Sequence, residues 1–162
     1  MSRPPRVSFD LDDTLICRPP TPAEPPPPPW LRWRHPEPLR LGAAALFRDL
    51  RARGCSTWIY TTSYRPPRSV RGWLRAHGVR VDGVANQEVH DRVVGRSGPS
   101  KYPPAFGVDL HVDDLPGVAL EGLRHGFATV IIAPDDPDWA GKVRDAVAAH
   151  VASGRPGSPK KA

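Results

Sequence analysis

The stretch RVSFDLDDTL, residues 6–15, decides the reading of this chain: a short strand-forming run, Arg6 to Phe9, ends on Asp10, and Asp12, Asp13 and Thr14 crowd the turn behind it. A strand that delivers a carboxylate at its carboxyl end is the usual entrance to a ligand site in an open parallel sheet. Further along, Thr57 to Tyr60 leads to Thr61 and Thr62, Val108 to Val112 leads to Asp113 and Asp114, and Ala128 to Ile132 leads to Pro134. Asp82 to Ala85 is a weaker strand candidate. Each run is about as long as a strand buried on both faces.

Helical patterns separate these runs. Ala43, Leu46, Phe47 and Leu50 recur at i, i+3, i+4, i+7 before Gly54, and Val70, Trp73, Leu74 and His77 repeat the spacing before Gly78. Pro116 to His125, closed by Gly126, reads as a third helix. Asp136 and Pro137 read as N-cap and first residue of a last one, with Trp139, Val143, Ala146, Val147 and His150 on its face. Strands alternating with helices predict an α/β fold, a three-layer sandwich around a central parallel sheet. One domain over residues 1–152 is expected, with a disordered tail at 153–162. ANQEVHDRVVGRSG, residues 85–98, reads as a loop or small hairpin that leaves His90 free to face the site.

Composition narrows the function. Of 162 residues 22 are proline, about 14% against a usual 5%, and ten lie between Pro19 and Pro38. This marks an irregular insertion at about 17–41 that proline bars from forming a helix bundle. Pro25 to Pro29 reads as a stiff polyproline II spacer presenting Trp30, Arg32, Trp33, Arg34 and His35. Three readings stay open for those side chains: an anchor packing the insertion onto the domain, a lid touching substrate, or a docking site for a partner. The insertion is expected to be separable from the sheet core.

The formal charge is +6, with 19 Arg against 4 Lys. A basic surface favours phosphorylated or polyanionic partners, and a bias toward Arg, Pro, Ala and Gly explains it equally well. No run of about 18 apolar residues spans a bilayer, no secretory h-region is visible near Met1, and two cysteines, Cys17 and Cys55, are too few for a disulfide framework or a thiolate zinc site. A cytoplasmic location is expected, with no membrane partner.

Asp10, Thr61, and the pair Asp113 and Asp114 converge on one sheet edge in this fold, and the segment holding Lys101 can reach it. Carboxylates, a hydroxyl and an ammonium together suit Mg²⁺ and a phosphoryl group. FDLDDTL, WIYTTS, Lys101 and LHVDD, in that order, resemble the four motifs of the haloacid dehalogenase-like superfamily, over about Arg6 to Val151.

The resemblance implies a nearly capless Rossmann-like hydrolase with Asp10 as nucleophile, forming an aspartyl phosphate, and Asp12 as general acid and then base. It places Mg²⁺ on Asp10, the Asp12 carbonyl and Asp114, with Asp113 direct or through water. It gives the phosphoryl group to Thr61, Thr62 and Lys101. An Asp at position 12 favours a phosphatase over a dehalogenase or a phosphorylating ATPase. A third acid beyond the last motif is missing unless Glu121 serves. The expected function is Mg²⁺-dependent phosphomonoester hydrolysis of a phosphorylated, even macromolecular, substrate. The alternative is a non-catalytic phosphate- or nucleic-acid-binding module that uses the Trp and Arg insertion. His111, inside a strand, is expected to be a satisfied core side chain, and Cys17 has no base to activate it.

Overall fold

The computed structural model describes residues 3–153. Five parallel strands, β1 (Arg6–Phe9), β2 (Ser56–Tyr60), β3 (Gly83–Ala85), β4 (Leu110–Asp113) and β5 (Ala128–Ile131), lie in the order β3-β2-β1-β4-β5. The order reverses at β1, so the crevice beside the carboxyl ends of β1 and β4 is the place where such a sheet accepts a ligand. Helices flank the sheet: α1 (Pro29–Arg32), α2 (Ala43–Ala52), α3 (Pro67–Ala76), α4 (Gln87–Val93), α5 (Pro116–His125) and α6 (Trp139–Ala152). The expected α/β sandwich with a central parallel sheet is therefore what the chain forms.

The two faces of the sheet differ in chemistry. Phe9 pairs in register with Ile59 and Val112, and these with Val7 form an apolar face covered by Leu46, Phe47 and Leu50 of α2 and Val143 and Val147 of α6. The Phe9 and Phe47 rings lie 4.6 Å apart, centroid to centroid. Ser8 pairs with Trp58 and His111, so the opposite face carries Ser8, Trp58, Tyr60 and His111. Three of these four are buried and paired, Ser8 Oγ meeting His111 Nδ1 at 2.7 Å and Tyr60 Oη meeting His90 Nδ1 at 2.5 Å, while the half-buried Trp58 leaves its Nε1 without a partner among the described residues. At the β2–β3 step Gly83 is needed, because a Cβ there would meet the Trp58 ring at 2.2 Å.

Local signals placed most elements correctly. Pro67 and Pro116 open α3 and α5, and Gly126, at φ +72°, follows α5. Two differences have clear causes. Residues 87–93 form α4 rather than a loop, because the Asn86 side chain accepts from Val89 N at 3.0 Å and caps it. His90 is consequently buried on α4, not exposed on a loop. The last helix begins at Trp139 behind Asp138; Asp136 instead accepts from Asp138 N at 2.9 Å and pairs with Lys142, turning the chain before the helix starts.

The proline insertion is tied in more than its composition implied. Its legs bond to each other and to the first turn, through Glu24 N to Leu39 O at 2.7 Å, Leu41 N to Pro22 O at 3.0 Å and Arg40 N to Leu15 O at 2.8 Å. Glu24 Oε1 accepts from Gly42 N and Ala44 N and so caps α2, while Trp73 Nε1 donates to Glu37 O. The flanking elements are thus not complete without it. Among the described residues no helix is long and apolar enough to cross a membrane. The expected tail lies outside the described residues except for Ser153, which ends α6.

Candidate active site

The turn after β1 places the first carboxylates. Leu15 N and Ile16 N both donate to Leu11 O, and Asp13 sits at φ +58°, so the chain reverses within residues 11–16 and holds Asp10 and Asp12 at the sheet edge. Asp10 is 8% exposed. Its Oδ1 accepts from Lys101 Nζ at 2.7 Å, and its Oδ2 takes part in no hydrogen bond among the described residues. Burial lifts the Asp10 carboxyl to about 6; Lys101 opposes the rise, and Asp113 and Asp114 add to it.

Lys101 is held from several sides. Its ammonium donates also to Tyr60 O at 2.6 Å and lies 3.7 Å from Asp113 Oδ2. The carboxylate of Glu121, the candidate third acid, is engaged by the segment that presents Lys101. It accepts from Ser100 N and Oγ, both at 2.8 Å, and from Lys101 N at 3.1 Å, fixing the segment that presents Lys101. Tyr60 Oη accepts from Tyr102 N at 2.8 Å and closes the same segment from the other side.

Asp113 and Asp114 divide into a buried and a half-buried group. Asp113 Oδ1 accepts from Leu115 N at 2.9 Å, and Oδ2 meets His111 Nε2 at 3.1 Å. Burial pushes the Asp113 carboxyl up, but His111, Lys101 and the Leu115 amide together hold it below the ordinary carboxylate range. Burial drives His111 down to about 4, so the ring is neutral. A neutral ring that donates Nε2–H to Asp113 leaves Nδ1 to accept from Ser8 Oγ, a tautomer assigned from its partners. Asp114 Oδ1 accepts from Thr14 Oγ1 at 3.1 Å, while no other described residue donates to its Oδ2; burial raises its carboxyl.

Asp12 is separately engaged. Arg65 Nη1 donates to Asp12 Oδ2 at 2.9 Å and to Ser63 Oγ at 3.0 Å, and Nη2 donates to Glu37 Oε1 at 2.7 Å. Arg65 thereby joins the sheet edge to the end of the proline insertion. Thr61 is buried beside this edge; its hydroxyl oxygen accepts from Ser63 N at 3.1 Å, which leaves the hydroxyl proton to donate elsewhere. Thr62 is exposed.

Whether these residues suit Mg²⁺ turns on the same contacts. Among the described residues no three His, Cys, Asp or Glu side chains close into a metal cage. Mg²⁺ does not require one, since it binds through one or two carboxylates and fills its octahedron with waters and phosphate oxygens. Asp10 Oδ2 and Asp114 Oδ2 are oxygen donors without competing hydrogen bonds among the described residues, and the Asp12 carbonyl accepts none there. The residues fit a hard cation and not a soft one.

Of the five insertion side chains singled out by the sequence, Trp30 and Trp33 are 70% and 73% exposed, so they are not core anchors. Arg34 lies over the Trp33 ring at 5.4 Å and lines, with His35, Glu37 and Arg65, a cavity of about 90 Å³. Arg32 ends α1. His111 is the satisfied core side chain expected of it, partnered by Ser8 and Asp113, whereas the contacts of Arg65 and Glu37 with this edge, made across the fold, were not foreseen from the sequence.

No family model matches the chain, and no curated protein does. Solved structures share its fold, two of them from Pnkp1/Rnl/Hen1 complexes. One, a structure of the Pnkp1/Rnl/Hen1 complex, superposes with a TM-score of 0.52 at 14% identity, covering 82% of this chain and 47% of that one. The other, of the Pnkp1/Rnl/Hen1 RNA repair complex, gives 0.52 at 13% identity, covering 80% and 42%. A glycotransferase of kitacinnamycin gives 0.36 at 18% identity, covering 99% and 43%. The chain spans less than half the length of these neighbours.

Proposed function

We propose that this chain is a Mg²⁺-dependent phosphomonoester hydrolase of the haloacid dehalogenase-like type. One observation carries the reading: a buried carboxylate, Asp10, has one oxygen held by the Lys101 ammonium and the other open to attack, at the carboxyl end of the central strand of a parallel sheet. Such a carboxylate is oriented for attack and shielded from solvent.

Asp10 Oδ2 attacks phosphorus in line, and the bond from phosphorus to the leaving oxygen breaks. Asp12 supplies the proton that the leaving alkoxide takes up. Water then attacks phosphorus, Asp12 accepts its proton, and the Asp10 carboxylate is released with inorganic phosphate. Lys101 offsets the charge that builds between Asp10 and the phosphoryl oxygens, and the Thr61 hydroxyl donates to one of them. Thr62, exposed next to it, lies at the mouth. Arg65 holds the Asp12 side chain at the sheet edge for both steps.

Asp10, the Asp12 carbonyl and Asp114 are the Mg²⁺ donors. Bound there, Mg²⁺ offsets the negative charge of the approaching phosphate and carboxylate. Asp113, whose oxygens are both occupied, lies against the Lys101 ammonium and would support the cation directly or through water. The exposed Trp30 and Trp33, with Arg32 and Arg34, form a lid edge for a substrate larger than a small phosphate.

Turnover of an aryl phosphate with and without Mg²⁺ tests the reading. The substrate panel then runs through nucleotides, sugar phosphates, phosphopeptides and end-phosphorylated oligonucleotides, the last being apt because one structural neighbour comes from an RNA repair complex. Phosphate binding without turnover on any member would favour the binding-module alternative.

A further inference from the structure

A second basic site lies on the opposite edge of the sheet from Asp10. α2 ends at Ala52 just before β2 starts, and α3 ends at Ala76 before β3 starts, so their last turns sit at the amino ends of the strands. Asp10 and Thr61 stand at the carboxyl ends, about 15 Å away along a strand of this length. Between those last turns runs a groove of about 570 Å³ lined by Arg51, Arg71, Arg75 and Arg80 around the turn at 78–81. A second groove of about 190 Å³ shares Arg51 and Arg80 and adds Arg48.

Helix carboxyl ends account for part of this cluster, because arginine commonly satisfies the last carbonyls there. Arg51 donates to Arg80 O and Asp82 Oδ1, and Arg71 donates to Val81 O and Asp82 O. Arg75 and Arg80 have no such use: among the described residues neither guanidinium has a hydrogen-bond or ion-pair partner, and both side chains are exposed. Asp82 offsets one of the four lining charges.

We propose that this groove binds an anion carrying two or more adjacent phosphoryl groups. Four guanidiniums with one compensating carboxylate exceed what a single phosphate dianion balances, whereas a di- or triphosphate chain matches them. Guanidinium forks pair two-by-two with phosphoryl oxygens. The groove is concave and of small-ligand size rather than an extended track. Its lining holds no aromatic ring on which a base could stack, which disfavours a single-stranded polynucleotide. The site does not depend on the hydrolase reading, since it shares no residue with the carboxylate edge.

Calorimetric titration of the full chain with inorganic tripolyphosphate, pyrophosphate and orthophosphate, at constant ionic strength and without Mg²⁺, tests this. Tripolyphosphate is expected to bind at least tenfold more tightly than orthophosphate. Arg75→Ala with Arg80→Ala is expected to weaken it tenfold or more without moving the thermal unfolding of the free protein, and Lys101→Met is expected to leave it in place. Unchanged affinity in the double arginine variant would overturn the proposal, as would loss of binding per folded molecule in Lys101→Met, the folded fraction being read by circular dichroism, which would move the anion to the carboxylate edge. Tighter binding of a single-stranded oligonucleotide than of tripolyphosphate, lost in the same arginine variant, would also overturn it in favour of a phosphodiester track.

Discussion

Lys101 Nζ and Asp10 Oδ1 lie 2.7 Å apart across 91 residues of sequence, both nearly excluded from water. Around this pair gather the Tyr60 carbonyl and the Asp113 carboxylate. Among the described residues the ammonium is the cation set between Asp10 and Asp113. Replacing it with Met leaves these carboxylates facing each other uncompensated. We expect Lys101→Met to lower kcat by about 10²–10³-fold, as removal of one preorganised charge donor does, and to cost about 3–5 kcal/mol of stability. Urea unfolding and aryl phosphate kinetics measured on the folded fraction separate the two effects.

Glu121 acts on the same pair through the backbone. Its carboxylate holds the Ser100 and Lys101 amides. Glu121→Ala is expected to reduce kcat roughly ten- to hundredfold through misplacement of Lys101, with Mg²⁺ affinity unchanged. A large loss of Mg²⁺ affinity in a metal titration would instead make Glu121 part of the cation site.

The pH dependence of stability separates Asp10 from His111. The Asp10 carboxyl is raised by burial to about 6, so its penalty is present at pH 7 and is relieved as pH falls from 6 towards 3.8. Asp10→Asn should therefore be more stable than the parent at pH 7, with the gap closing on acidification. His111 is depressed by burial to about 4; the stability linked to its neutral ring is present above 6.5 and is lost as pH falls from 6.5 to 4. His111→Gln should flatten that acid-side loss. Denaturant midpoints of the three proteins between about pH 4.5 and 7.5 decide both signs.

The insertion calls for a narrower change than deletion, because Glu24 and Glu37 tie it to α2 and to Trp73. Trp30→Ala with Trp33→Ala removes two exposed rings and should leave thermal stability unaltered. If these rings meet the remote part of a substrate, kcat/KM falls for the best macromolecular phosphate in the panel and stays constant for an aryl phosphate. Equal kinetics on both substrates would assign the rings to another partner.

Much of this architecture was legible in the residues, and the reasons are local. Strands such as Thr57 to Tyr60 and helices such as Ala43 to Ala52 declare themselves by period and by their Gly and Pro boundaries. Asp10, Thr61, Lys101 and Asp114 could be singled out as candidates because each follows or faces a strand end. Residues 87–93 escaped because so short a helix carries too little periodicity, although Asn86 held the capping signal. Arg65, Glu37, His111 and Glu121 take their roles from partners distant in sequence, or from pairing within a buried strand, and periodicity carries no trace of such contacts. The rear arginine groove likewise arises only when α2 and α3 are brought together.

The central claim, that Asp10 is the nucleophile, is tested most directly by trapping. Asp12→Asn should slow hydrolysis of the intermediate while an activated aryl phosphate, which needs no acid, still loads it. Acid quench during turnover with Mg²⁺, borohydride reduction and peptide mass spectrometry then read the site. The account predicts homoserine in place of Asp10 and nowhere else. An unmodified Asp10 under continuing turnover, or reduction at another carboxylate, would contradict it.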